Sequence, residues 1–267
     1  MAVREQPSTM TFLEHLEELR SRLIKSMLAA LVGVVLAWLF RESLLDWLTR
    51  PFVTAWNGAH LKSGVSLHFP APASLFFAYL KLSVIGGTVA ALPVILYQLW
   101  SFVAPGLYSR EKRFAVPFVA TSTLLFATGG YFGWRLAFPL AFRYLLGFSG
   151  RVGSSALTVT PTVMIDDYLD FVARMLLAFG AIFELPVLAF FLSLAGVVTH
   201  RHLIKFARYF VVVAFVIAAI LTPPDVVSQL LLAGPLCLLY AVSVGVAWLV
   251  GRRSRAGSGP DNDSASP

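Results

Sequence analysis

Long apolar runs separated by short polar stretches organise this chain, falling at about 23–40, 75–103, 114–136, 168–197, 206–221 and 226–250. A helix needs roughly 20 apolar residues to cross a hydrocarbon layer about 30 Å thick, so the pattern predicts about six membrane-spanning helices. Two connections are longer than the others. Segment 41–74 is broken by Pro51, Pro70 and Pro72, and segment 147–162 is polar and glycine-rich, so both are expected to be loops with local structure. The last two runs are separated only by Leu221, Thr222, Pro223, Pro224 and Asp225. The fifth run, about 16 residues, makes roughly 24 Å of helix; the bilayer thins around it, a partner covers the mismatch, or the helix extends into its basic flank.

Ahead of the first run, Leu16, Leu19 and Leu23 recur at helical spacing while Glu17, Glu18, Arg20 and Arg22 stay polar. This is the pattern of an amphipathic helix lying at the membrane interface or against another cytoplasmic segment. Thr11 with Glu14 three residues later fits a capping box, and Glu18 with Arg22 fits an i,i+4 ion pair. The acidic Glu14, Glu17 and Glu18 stand where a cleavable signal would be basic, so this segment is expected to be retained. The division expected is an amphipathic segment at 1–22, a six-helix transmembrane domain at 23–250 and a disordered tail at 251–267, rich in Ser, Gly, Asp and Pro.

Composition agrees with the pattern: 58% of the 267 residues are apolar and 13% charged, against about 25% charged in soluble domains. The net charge of +7 needs no nucleic acid, because its carriers collect in particular loops. Arg4, Arg20, Arg22 and Lys25 precede the first run, and Arg110, Lys112 and Arg113 join runs two and three. Arg201, Lys205 and Arg208 join runs four and five, and Arg252, Arg253 and Arg255 follow run six. Lys and Arg stay preferentially on the cytoplasmic side, so both termini are expected to be cytoplasmic. The one cysteine, Cys237, forms no disulfide within the chain and sits in an apolar run. His15, His60, His68, His200 and His202 are scattered, and no phosphate loop, metal-ligand cluster or nucleophile elbow is present. The chain is therefore read as a non-enzyme without metal or cofactor.

Several polar residues stand out. Glu18 and Glu111 should share the cytoplasmic face, where two carboxylates from different segments can converge on a cationic ligand; a guanidinium fork suits them better than an ammonium. Glu184 lies inside the fourth run, where an ionised side chain costs at least about 2.5 to 3.5 kcal/mol. It is either a hydrogen-bonded structural acid or a point where a polar group from another helix docks, beside a kink at Pro186. Asp225 is placed to cap the last helix, and Gln98 and Gln229 can hydrogen-bond between helices.

Taken together, the stretches from Phe12 to Leu23, Leu92 to Tyr108 with Glu111, Phe179 to Pro186 and Leu221 to Gln229 resemble, in order, the motifs of the TatC family, the receptor subunit of the twin-arginine protein translocase. The resemblance covers nearly the whole chain; Gly106 and Ser109 depart from the family pattern while Glu111 is retained. It implies an all-α, glove-like or concave bundle in the bacterial inner membrane. Such a protein receives folded precursors bearing twin-arginine signal peptides and works in a multi-copy complex with single-span TatA and TatB, driven by the proton-motive force. By position in the motifs, Glu18 and Glu111 would bind the arginine pair, with Arg20, Arg22 and Phe102 shaping the site. Glu184 would face a concave membrane cavity and attract a polar side chain of a TatA-type helix, with the short fifth and sixth spans as docking edge. Pro51, Phe76 and Asp225 match positions associated with the external face and assembly; a loop proline, a lipid-facing phenylalanine and a helix cap account for them as well. The rival functions are a secondary transporter or proton-conducting protein using Glu184, and a passive scaffold that binds no signal.

Overall fold

Among the described residues, helices hold most of the backbone, so its N–H and C=O groups are paired internally, as hydrocarbon requires. The computed structural model describes residues 12–59, 64–103, 115–151, 158–194, 196–222 and 225–257. Its helices are α1 (Phe12–Leu39), α2 (Arg41–Gly58), α3 (Pro72–Val103), α4 (Ala115–Phe132), α5 (Phe138–Leu146), α6 (Ile165–Phe183), α7 (Leu185–Leu194), α8 (His200–Leu221) and α9 (Val226–Gly257). A π turn, Gly133–Ala137, joins α4 to α5, and a short antiparallel hairpin pairs Gly150–Arg151 with Thr158–Val159.

Five described helices are long and apolar enough to cross a membrane: α1, α3, α6 continued by α7, α8 and α9. The run expected at 114–136 appears as α4 and all but the last residue of the π turn. The turn sits where Pro139 lacks the N–H that would reach Arg135 O, and Phe138 N–H bonds instead to Gly133 O, five residues back.

The structure corrects several boundaries. The amphipathic segment and the first span form one continuous helix, α1; Thr11, the expected cap, lies outside the described residues. Segment 41–74, expected to be a loop, contains the 18-residue helix α2 with Pro51 inside and buried. Proline is tolerated there because the carbonyl it strands finds another donor: Trp134 Nε1 donates to Trp47 O at 3.1 Å, and the two indoles stack at 4.7 Å. The fifth span is not short as a helix. α8 has 22 residues because it extends into the basic flank, taking in Arg201, Lys205 and Arg208, whose long stems let the charges reach the interface. Nor is the sixth short, since α9 has 32 residues and continues to Gly257; residues 258–267 lie outside the described set.

Two compact units divide the chain, Met1–Leu44 with Tyr79–Thr123 and Leu45–Ala78 with Leu124–Pro267. In the first, α1 and α3 cross where Gly33 meets Gly87, so closely that a Cβ on either would strike the other's backbone. In the second, Phe52 packs on Trp56, Phe142 and Tyr168, and Tyr168 Oη donates to Leu48 O at 2.8 Å. His68 exchanges backbone hydrogen bonds with Val163 and Ile165, tying the connection after α2 to the start of α6.

Candidate functional site

Within the first unit the amphipathic turns of α1 carry Glu18, Arg20 and Arg22. Glu18 Oε1 accepts from Arg22 Nε at 2.9 Å and also from Arg22 Nη2, so the i,i+4 pair expected from the sequence forms. The other oxygen, Oε2, lies 4.0 Å from His15 Nδ1 and, buried, accepts no hydrogen bond from the described residues. A carboxylate oxygen has two lone pairs; Arg22 fixes the group through one oxygen and leaves the other with acceptor capacity. Arg20 is exposed.

Phe102, in the last turn of α3, stacks on His15 with ring centroids 4.5 Å apart and planes at 15°. This contact joins the start of α1 to the end of α3 and sets Phe102 within one helical turn of Glu18. Trp100, buried, meets Phe118 edge-on at 4.8 Å, fixing the end of α3 against the first turns of α4. Those two helices flank residues 104–114, which include Glu111 and lie outside the described residues. His15 was missed in the sequence, where it was one of five scattered histidines; its position three residues before Glu18 was the only signal, and nothing local announces Phe102 as its partner.

The remaining candidates are dispersed. Gln98 is half-buried on α3. In the second unit, Glu184 is half-buried at the break between α6 and α7, its N–H bonded to Ala181 O and its C=O to Leu188 N. The break falls two residues before Pro186, where a kink was expected. Asp225 Oδ1 accepts from Ser228 N at 2.7 Å, so it caps α9. Gln229 Nε2 reaches Phe215 O at 3.4 Å across the α8–α9 pair. Pro51 is buried in α2, and Phe76 is 54% exposed at the start of α3. A cavity of about 540 Å³ between α7 and α9, lined by Phe190, Ser193, Leu249 and Val250 among others, contains none of these residues.

The sequence matches the model of a family described as Sec-independent protein translocase protein (TatC) over residues 14–235. A Sec-independent protein translocase protein TatC of Desulforapulum autotrophicum is 41% identical, with 91% of this chain and 86% of the relative covered. That of Aquifex aeolicus is 40% identical, covering 92% and 98%. A crystal structure of the twin arginine translocase receptor TatC superposes with a TM-score of 0.76 at 40% identity, over 90% of this chain and 100% of the other.

Proposed function

We propose, from the premise that this chain belongs to the TatC family of Sec-independent protein translocase proteins, that it is the subunit that recognises twin-arginine signal peptides. Membership makes it a multi-pass membrane protein and a subunit of a transport machine rather than an enzyme. The observation that carries the finer reading is the stack of His15 on Phe102, which draws the end of α3 to the turn of α1 that bears Glu18. The site works by charge and shape together. Glu18 offers a carboxylate held in place by Arg22, and Glu111, supplied by the segment between α3 and α4, is the second acceptor for the arginine pair. Two guanidinium forks meeting two carboxylates make charge-assisted bonds that lysines do not reproduce. Arg20, Arg22 and Phe102 shape the site, Arg22 by holding the Glu18 carboxylate and Phe102 by walling it. Leu16, Leu19 and Leu23, all exposed on α1, offer the signal's apolar segment a surface to follow into the bilayer.

In the same reading both termini lie in the cytoplasm of a bacterial cell and the protein sits in the inner membrane in several copies. TatA and TatB dock through Glu184, with Gln98 and Gln229 as further polar contacts. Pro51, Phe76 and Asp225 shape the external face that assembles the complex, and the proton-motive force drives transport. Reversing the charge with Glu111→Arg is expected to abolish binding of a twin-arginine precursor to membranes that hold normal amounts of the protein. Unchanged binding would remove Glu111 from the site.

A further inference from the structure

Arg174 is a cation inside a membrane-spanning helix. The α6–α7 span runs from Ile165 to Leu194, 30 residues, so at 1.5 Å per residue Arg174 lies about 8 Å to one side of its midpoint and Glu184 about 7 Å to the other. With a hydrocarbon layer about 30 Å thick centred on this helix, both Cα positions fall inside it, where an arginine is costly and needs an anion or a path to water. Arg174 is exposed, and among the described residues no ion pair, side-chain hydrogen bond or ring contact reaches it.

Its place on the helix is ordered. Tyr168, Val172, Met175, Phe179 and Ile182 recur at alternating spacings of four and three and are all buried. On the other side Arg174, Leu177, Ala181, Glu184 and Leu188 recur with the same alternation; all are exposed except Glu184, which is half-buried. A seam at this spacing is the surface one helix offers another, and the small Ala181 between its polar ends permits close approach.

We propose that this seam receives a partner's transmembrane helix that carries a carboxylate to pair with Arg174. Its second polar group, about 15 Å further along the seam at ten residues of helix rise, meets Glu184. The inference rests on the reading of Glu184 as a docking point and adds a second anchor that selects for an acidic partner helix. A phospholipid phosphate offers Arg174 the same charge, but it covers neither Ala181 nor Glu184, whereas one helix spans all three. The guanidinium fork fixes the partner's register, because a bidentate carboxylate tolerates little sliding.

The test places a photocrosslinking residue at Leu177 and, separately, at Leu188, in inner-membrane vesicles that also contain TatA and TatB. A crosslink from Leu177 to one of these single-span proteins is expected. It should fall at least tenfold with Arg174→Glu and return when the acidic residue in the partner's span is changed to arginine. Where Arg174→Glu lowers the amount of protein in the membrane, Arg174→Gln is read instead and should give the same loss, with twin-arginine precursor binding retained as the folding control. Crosslinks from Leu177 only to phospholipid, or crosslinks indifferent to Arg174, overturn the inference. The two readings separate on Glu184→Ala. If the Leu188 crosslink needs Glu184 while Leu177 ignores Arg174, the docking point stands and the second anchor falls. If Leu177 needs Arg174 while Leu188 ignores Glu184, the anchor stands and the docking role of Glu184 falls.

Discussion

Gly33 and Gly87 decide how near α1 and α3 come, because each occupies the space in which the other would carry a side chain. The contact is backbone against backbone, so a larger residue cannot be absorbed by turning a rotamer; the helices must part. Gly87→Leu is therefore expected to destabilise the purified protein by about 2 kcal/mol or more, the upper part of the range for overpacked sites. Gly234→Ala, where a new Cβ meets nothing within 4 Å, should leave the melting temperature nearly unchanged. Equal melting temperatures for the two variants in detergent would contradict the close crossing. Glu18 and Arg22 illustrate the opposite case, a contact legible from sequence because i,i+4 neighbours on a helix face one another. The stack of His15 on Phe102 joins residues far apart in sequence, and no local pattern marks it.

Helix α2 shows what a sequence reading of elements loses. Pro51 removes the N–H that Trp47 O would accept, and that loss argues for a loop. The donor that repairs it is Trp134, 87 residues away, which no local pattern specifies. Trp134→Phe keeps an aromatic ring against Trp47 but removes the N–H; the hydrogen bond is exposed, so the expected loss is that of one ordinary hydrogen bond, about 0.5 to 1.5 kcal/mol. Combining it with Pro51→Ala restores a main-chain donor four residues after Trp47 and is expected to recover most of the loss, a coupling readable in a double-mutant cycle. Additive effects of the two changes would sever the link between the proline and the indole. Elsewhere the local signals sufficed: Asp225 before the last apolar run became a helix cap, and Pro186 marked the break at Glu184. The length of α8 needed the structure, because hydropathy ends a span at the first charges while backbone hydrogen bonding continues through them.

Across the whole molecule, the apolar surface explains the composition. Leu28, Leu31, Val32, Val35, Leu36 and Leu39 of α1 are each more than half exposed, far more than a soluble protein leaves to water in one stretch, and the same holds along α8 with Val212, Val216 and Ile220. These helices are solvated by lipid, and this was legible from hydropathy alone. The family was legible too, from four short motifs in order. The Glu18–Arg22 pair was legible from its spacing; that it engages one carboxylate oxygen and that Phe102 lies beside it through His15 required coordinates. The role proposed for this site is to read an arginine pair. A photocrosslinking residue placed at position 18 or 111 in inner-membrane vesicles, offered a precursor with either Arg-Arg or Lys-Lys in its signal, tests it directly. Position 102, which retains both carboxylates, is the matched probe. Strong crosslinks are expected from position 102 to the Arg-Arg precursor, at least tenfold weaker ones to Lys-Lys, and weakened capture when position 18 or 111 gives up its carboxylate to the probe. Equal crosslinking of the two precursors, or none from any of the three positions, would contradict it.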